Sequence, residues 1–295
     1  MPSWHVAFAA LALVMTWDAM ASPTIFAVVG DSLPPAQRTM GFTVQAILRR
    51  VPVIVAPTLG GVAIAHLGIR RGMDLGLVVS IGLAALTLGI AARVRIPIVA
   101  DDAPTDIRHV YRAMPSQLRW LMASDVFIRT CEAMVDVFLV LYAVNVAGVS
   151  APRFGVLVAV QSATAMVVYI PAARIAERAG KKPFVTGTFI AFAFFPLAVV
   201  WAHSFAGLVL AFMVGGLREI GEPARKASIV DLARPSLRAR TVGLYYLIRS
   251  LAIAPAAFVG GLLWRASPAL PFYVAAMIGL VGVIVFIVTV DVQRA

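Results

Sequence analysis

Apolar residues run along this chain in long stretches, not in the short periodic patterns of a water-soluble domain. The stretches lie at roughly 5–29, 41–66, 73–93, 119–145, 153–173, 184–201, 204–230, 241–264 and 270–290. A helix rising about 1.5 Å per residue crosses a hydrocarbon core of about 30 Å in about 20 residues, so each stretch suits one crossing. The pattern predicts nine transmembrane helices joined by short polar turns. The expected fold class is all-α, a polytopic membrane bundle. The longest gap, 94–118, holds Pro97, Pro104 and Pro115 and reads as a linker between two halves.

Composition agrees. Of 295 residues, 61% are hydrophobic and only 13% charged, against about 25% charged in soluble domains. Lipid must therefore cover the surface, and the bilayer is the first expected partner. The net charge of +11 could suggest nucleic acid. The basic residues, however, sit mostly in the gaps between apolar stretches, which is the pattern of membrane topology. Alternate gaps hold thirteen Lys and Arg on one side and only Arg70, Arg71, Arg153 and Arg265 on the other. The richer side should be cytoplasmic, with the C-terminus inside and the N-terminus outside. The expected location is a cell membrane, bacterial inner membrane for preference, and the expected state a monomer. Cys131 is the only cysteine. It can form neither an internal disulfide nor a metal cage, and it reads as inert packing. No nucleotide loop or metal cluster is visible, so no cofactor is expected and ATP-driven pumping has no support.

An internal repeat organises the chain. At an offset of 200, Pro23 matches Pro223, Asp31 matches Asp231, Arg49 matches Arg249, and Gly60-Gly61 match Gly260-Gly261. Arg38-Thr39-x-Gly41 matches Arg240-Thr241-x-Gly243 with a two-residue slip. Two hairpins, 5–66 and 204–264, thus read as copies that run in the same direction. Three helices precede the second copy and none precedes the first, so the first half is expected to lack its three leading helices.

The loop Ala173-Arg174-Ile175-Ala176-Glu177-Arg178-Ala179-Gly180-Lys181-Lys182 resembles the signature loop G-x-x-x-D-R-x-G-R-R of the major facilitator superfamily. Ala173, Glu177 and Lys181 stand where the pattern has Gly, Asp and Arg; the latter two keep the charge. Ala56-Pro57-Thr58-Leu59-Gly60-Gly61 is similar to the fifth-helix motif of that family's drug–proton antiporters, with Ala56 in place of Gly. Arg218-Glu219-Ile220-Gly221 is similar to a fourth-helix Arg motif, here in the tenth-helix position. A parallel repeat also relates the two halves of that fold. The resemblance implies helices four to six of one half in 1–93, a cytoplasmic linker in 94–118 and a complete second half in 119–295. It further implies a secondary transporter working by alternating access. Glu177, Arg178, Gly180, Lys181 and Lys182 would form a cytoplasmic gating latch, and Pro57, Gly60 and Gly61 the antiporter-like motif.

Ionisable residues at membrane depth are costly, and each invites a functional reading with a named partner. Asp125, Arg129, Glu132 and Asp136, spaced four, three and four apart, share one helical face. Arg129 can pair with Asp125 and Glu132 along the helix, leaving Asp136 with no local cation. Two close carboxylates discourage double ionisation, which suits proton coupling, while fixed ion pairs with neighbouring helices are the structural alternative. In the 204–230 stretch, expected as one helix kinked at Gly221 and Pro223, Arg218, Glu219 and Glu222 are substrate-wall candidates. There Arg218–Glu222 and Glu222–Lys226 could pair locally. Arg225 and Lys226 are expected to snorkel as end anchors. Arg49 and Arg249 favour an anionic solute, pair with the carboxylates above, or bridge to the Asp31 or Asp231 region, where Asp31–Arg38 and Asp231–Arg238 would brace their own turns. Asp18 is a lone carboxylate in the first stretch.

The expected function is proton-coupled efflux of a small organic solute, and not enzymatic catalysis. Two alternatives bound it. A chain without its leading helices could be a non-transporting membrane fragment. An intramembrane prenyltransferase would need two aspartate-rich loops for magnesium, and Asp101-Asp102-x-x-x-Asp106 supplies only one.

Overall fold

A computed structural model describes residues 25–26, 28–93 and 106–291, and all regular structure among them is helical. Residues up to Thr43 and those from 106 onward form one compact unit; residues from Val44 to 93 form a second. The first unit starts with helical residues 28–32 and a 3-10 turn, Pro35–Gln37. Helix α1, Arg38–Ala91, starts here and continues as the second unit. Then come α2 Ile107–Ala113, α3 Ser116–Leu141, α4 Ala151–Ala179, α5 Lys182–Val200 and α6 Phe205–Leu217. After these follow α7 Glu222–Leu232, α8 Arg238–Ile253, α9 Ala256–Ala266 and α10 Leu270–Thr289.

Five described segments are long and apolar enough to cross a membrane: Arg70–Ile90, Arg153–Ala179, Lys182–Val200, Pro235–Ala266 and Leu270–Thr289. Helix α3 has the length, but Arg119, Asp125, Arg129, Glu132 and Asp136 lower its hydropathy. Such a helix is stable in lipid only where protein or water meets its charged face. In the second unit the chain folds back at Gly68 (φ 78°, ψ 164°), between the predicted stretches 41–66 and 73–93.

The predicted 204–230 helix is not one helix. It breaks between Leu217 and Glu222. Pro223 has no N–H to donate and its ring opposes continuation of a helix, so it begins a new one. Gly221 seats the break: its N–H donates to Thr188 Oγ1 at 2.5 Å, and a Cβ there would collide with the Phe184 carbonyl group of α5. The 241–264 stretch likewise starts earlier, at Arg238, and divides at Pro255, which caps α9. Part of the expected linker, 107–113, is helical, capped by Asp106 accepting from the Arg108 N–H at 3.0 Å.

Helix α10 lies against α3 and α5, α4 and α5 against α6, and α8 and α9 against α3. Two buried clusters fill the gaps. One centres on Leu118, Leu121, Phe189, Tyr245 and Phe286 and takes in Phe26 and Phe42. The other gathers Phe138, Tyr142, Phe195, Phe212 and Phe272. Cys131 is buried and its Sγ–H faces the Phe192 carbonyl at 3.4 Å, as expected of a packing residue.

The repeat is written into the backbone. The 3-10 turns Pro35–Gln37 and Pro235–Leu237, and the helices that begin at Arg38 and Arg238, keep the 200-residue offset. The two-residue slip matching Arg38 to Arg240 is therefore corrected, and Arg38 corresponds to Arg238.

Candidate functional site

The charged face of α3 meets α6, α7 and α8 in one chain of ion pairs of alternating sign. Asp125, fully buried, accepts from Arg225 Nη1 at 2.7 Å, the Tyr245 hydroxyl at 3.0 Å and Arg249 Nη1 at 3.3 Å. Arg225 also donates to both oxygens of Glu222, from Nε at 3.2 Å and Nη2 at 2.8 Å. Glu222 receives Arg129 Nη2 as well, and Arg129 Nη1 donates to Glu132 at 2.7 Å. Arg218 Nη1 then stands 3.9 Å from Glu132 and 3.6 Å from Asp136. Four carboxylates and four arginines, if all ionised, make the chain neutral. Pairing of this kind is the condition for keeping charge out of water.

The sequence places these residues, and the structure decides their partners. Asp136, without a cation on its own helix, meets Arg218 from the end of α6. Glu222 pairs with Arg225 and Arg129 in place of Arg218. Arg225 is no end anchor: it is 1% exposed, because the break at Gly221 starts α7 afresh and turns Arg225 inward, three residues from Glu222. Lys226 Nζ lies 5.5 Å over the Phe26 ring. Arg249 joins Asp125, not the Asp231 region, and stacks 4.3 Å over Tyr246. Glu219 accepts from the Tyr169 hydroxyl at 2.7 Å. Tyr245 was missed by reading charges alone. Its position four residues before Arg249, on the same face of α8, was the available signal.

A second polar cluster joins the two repeat copies. The expected braces, Asp31 with Arg38 and Asp231 with Arg238, form crosswise. Arg38 Nη1 donates to Asp231 at 2.6 Å, and Arg238 Nη1 to Asp31. The reason is geometric: Arg38 turns its Nε and Nη2 to its own turn, donating to Leu33 O at 3.0 Å and Gly30 O at 2.6 Å. That leaves Nη1 for the other copy. The signature loop locks onto both copies. Lys181 Nζ pairs with Asp231, and Glu177 Oε1 accepts the Met40 N–H at 2.8 Å in the first turn of α1. A carboxylate there satisfies an orphan donor and faces the positive end of the helix dipole. Gly180, at φ 95°, makes the turn between α4 and α5 that delivers both side chains, a conformation other residues rarely take. Lys182 Nζ reaches Ile287 O at 3.4 Å, and Arg178 is exposed on the last turn of α4.

Of the remaining candidates, Asp18 lies outside the described residues. Arg49 is exposed on the part of α1 that belongs to the second unit. The helix runs unbroken through Pro57, Gly60 and Gly61, with open space around Gly60.

Comparison with known proteins places this geometry. Residues 121–295 match the family model described as Major Facilitator Superfamily. Over 114 residues the chain is 26% identical to an uncharacterized MFS-type transporter of Methanocaldococcus jannaschii, an alignment covering 38% of this chain and 29% of that protein. The chain thus spans under a third of the length of that curated relative. The fold is similar to the crystal structure of a bacterial homologue of the iron transporter ferroportin in an outward-facing state, with a TM-score of 0.67 and 18% identity. That likeness covers 97% of this chain and 74% of the other.

Proposed function

Since this chain belongs to the Major Facilitator Superfamily, whose family model matches more than half of it, we propose that it is a secondary active transporter working by alternating access. It is a multi-pass membrane protein by family and by helix composition. The proposal adds proton-coupled efflux of a small organic solute by a monomer in a bacterial inner membrane, with the C-terminus cytoplasmic. The observation that carries it is the chain of eight alternating charges among helices of a membrane fold. Its two ends differ. Around Asp125, Arg225 and Glu222 the contacts are hydrogen bonds of 2.7–3.2 Å between almost wholly buried groups. Around Glu132, Asp136 and Arg218 the ion pairs are longer: Glu132 keeps Arg129 at 2.7 Å, Arg218 stands 3.6–3.9 Å from both carboxylates, and Asp136 is half-exposed. A proton on either carboxylate leaves the other to hold Arg218, so this end is the natural place for coupling. Asp125, Glu222, Glu132 and Asp136 each face an arginine, a setting that disfavours a divalent cation bound among them.

The crosswise pairs Arg38–Asp231 and Arg238–Asp31, with Lys181 and Glu177, support a latch on the side where Lys and Arg concentrate. They must part for that side to open. The efflux direction rests on the motif at Ala56–Gly61. The test is flux in proteoliposomes with and without an imposed pH gradient. Gradient-driven flux should fall sharply in Glu132→Gln and Asp136→Asn. Flux that persists in both would end the coupling assignment, and absence of any flux from the wild type across a panel of organic solutes would end the transporter reading.

A further inference from the structure

Resting on that reading, we infer that the solute is an organic anion and that Arg218 is the residue that binds its oxyanion group. Arg218 is the one arginine of the charge chain with no hydrogen bond of 3.5 Å or less to a carboxylate; Arg249 also makes a single hydrogen bond and stacks on a ring, but its bond goes to Asp125. Arg225 places all three of its guanidinium nitrogens in hydrogen bonds to Asp125 and Glu222. Arg129 donates from both Nη atoms to carboxylates. Arg218 donates only from Nε, to Gly215 O at 3.1 Å. Its nearest carboxylate oxygens, at 3.6 and 3.9 Å from Nη1, are beyond hydrogen-bond reach. Nη1 is thus held in two long ion pairs, and among the described residues neither Nη atom has an acceptor within 3.5 Å, although the side chain is only 8% exposed.

What holds the group is aromatic. Its guanidinium lies 4.4 Å over the Phe195 ring and 5.0 Å over Phe192, both fully buried. Two rings and a backbone carbonyl fix the plane of the fork and keep water from one side, while its outer edge keeps unused donors. A planar fork of this kind is matched by a carboxylate or another oxyanion, which takes two parallel N–H bonds. The approach is open on the side of Asp136, whose side chain is 49% exposed. Glu132 and Asp136 attract the cation without bonding it, so an incoming oxyanion competes with them for Arg218 and does not have to break formed hydrogen bonds.

The test needs no gradient. The full chain in detergent is titrated with benzoate, and with benzamide as the neutral isostere, reading tryptophan fluorescence and the apparent unfolding temperature. Benzoate should bind at least about tenfold more tightly than benzamide, the scale of one lost hydrogen-bonded charge pair. Arg218→Gln should abolish that preference, and Arg218→Lys should keep part of it. Asp136→Asn, which removes a competing carboxylate, should tighten benzoate binding. A residue that only supports the fold would not produce that last result. Equal binding of benzoate and benzamide would overturn the inference, as would a preference unchanged in Arg218→Gln or an Asp136→Asn affinity no better than wild type. The lysine and Asp136 variants keep the test decisive if Arg218→Gln does not fold. Charge-selective binding without flux would sink the transporter reading and leave the anion site. Flux of a neutral solute without charge selectivity would do the reverse.

Discussion

Arg225 should be the most stability-critical charge in the chain, and Arg225→Met tests that. Its side chain is 2% exposed and makes three hydrogen bonds to two carboxylates. Methionine fills much of the space, so the loss is chiefly electrostatic. Asp125 keeps only Tyr245 at 3.0 Å, Arg249 at 3.3 Å and a looser Arg129 at 3.7 Å. Glu222 keeps Arg129. Removing one partner of a buried pair costs about 3–5 kcal/mol, because the remaining charge stays desolvated and uncompensated. At about 2–4 °C per kcal/mol, apparent unfolding in detergent should come roughly 10 °C earlier. Adding Asp125→Asn removes the surplus charge. The double variant should then be more stable than the sum of the single losses by about 1 kcal/mol or more. A fall of less than about 3 °C in Arg225→Met, or strict additivity in the double variant, would show that the charge chain contributes little and refute the reasoning.

Two further outcomes follow from the latch and the helix break. Asp231, 13% exposed and holding both Arg38 and Lys181, should matter more than Asp31, which is 65% exposed. Exposed pairs are worth about 0–1 kcal/mol, so Asp31→Asn should leave labelling of cysteines placed in the 231–240 turn near wild type while Asp231→Asn raises it; equal effects would remove the ranking. Gly221→Ala puts a Cβ against the α5 backbone. It should cost about 1–3 kcal/mol, as overpacking does, seen as a lower unfolding temperature; an unchanged one would show that the 218–221 break is loosely held.

The charged face of α3 was legible because three spacings of four, three and four residues put Asp125, Arg129, Glu132 and Asp136 on one side of any helix they form. The fold class was legible from stretch length and charge placement, and the repeat from identities at one offset. Helix ends were less legible. Gly221 and Pro223 marked the place where 204–230 breaks, but a kink and a full break look alike in sequence. The consequence was large, since the break decides that Arg225 points inward.

Hydrophobic length, helical periodicity and repeat register are properties of neighbouring residues along the chain, and one dimension suffices to set them. They determined a bundle of membrane helices, two copies of one hairpin and a stripe of charge. Which charge meets which is settled between residues far apart: 100 positions for Arg225 and Asp125, 193 for Arg38 and Asp231, 207 for Arg238 and Asp31. Local spacing offered Arg38 and Arg238 a nearer carboxylate that they do not use, and Arg225 adds distant Asp125 to its neighbour Glu222. Packing of α3 against α7 and α8, and of one repeat turn against the other, brought distant partners within reach, because contact distance in the folded chain decides an ion pair and sequence distance does not.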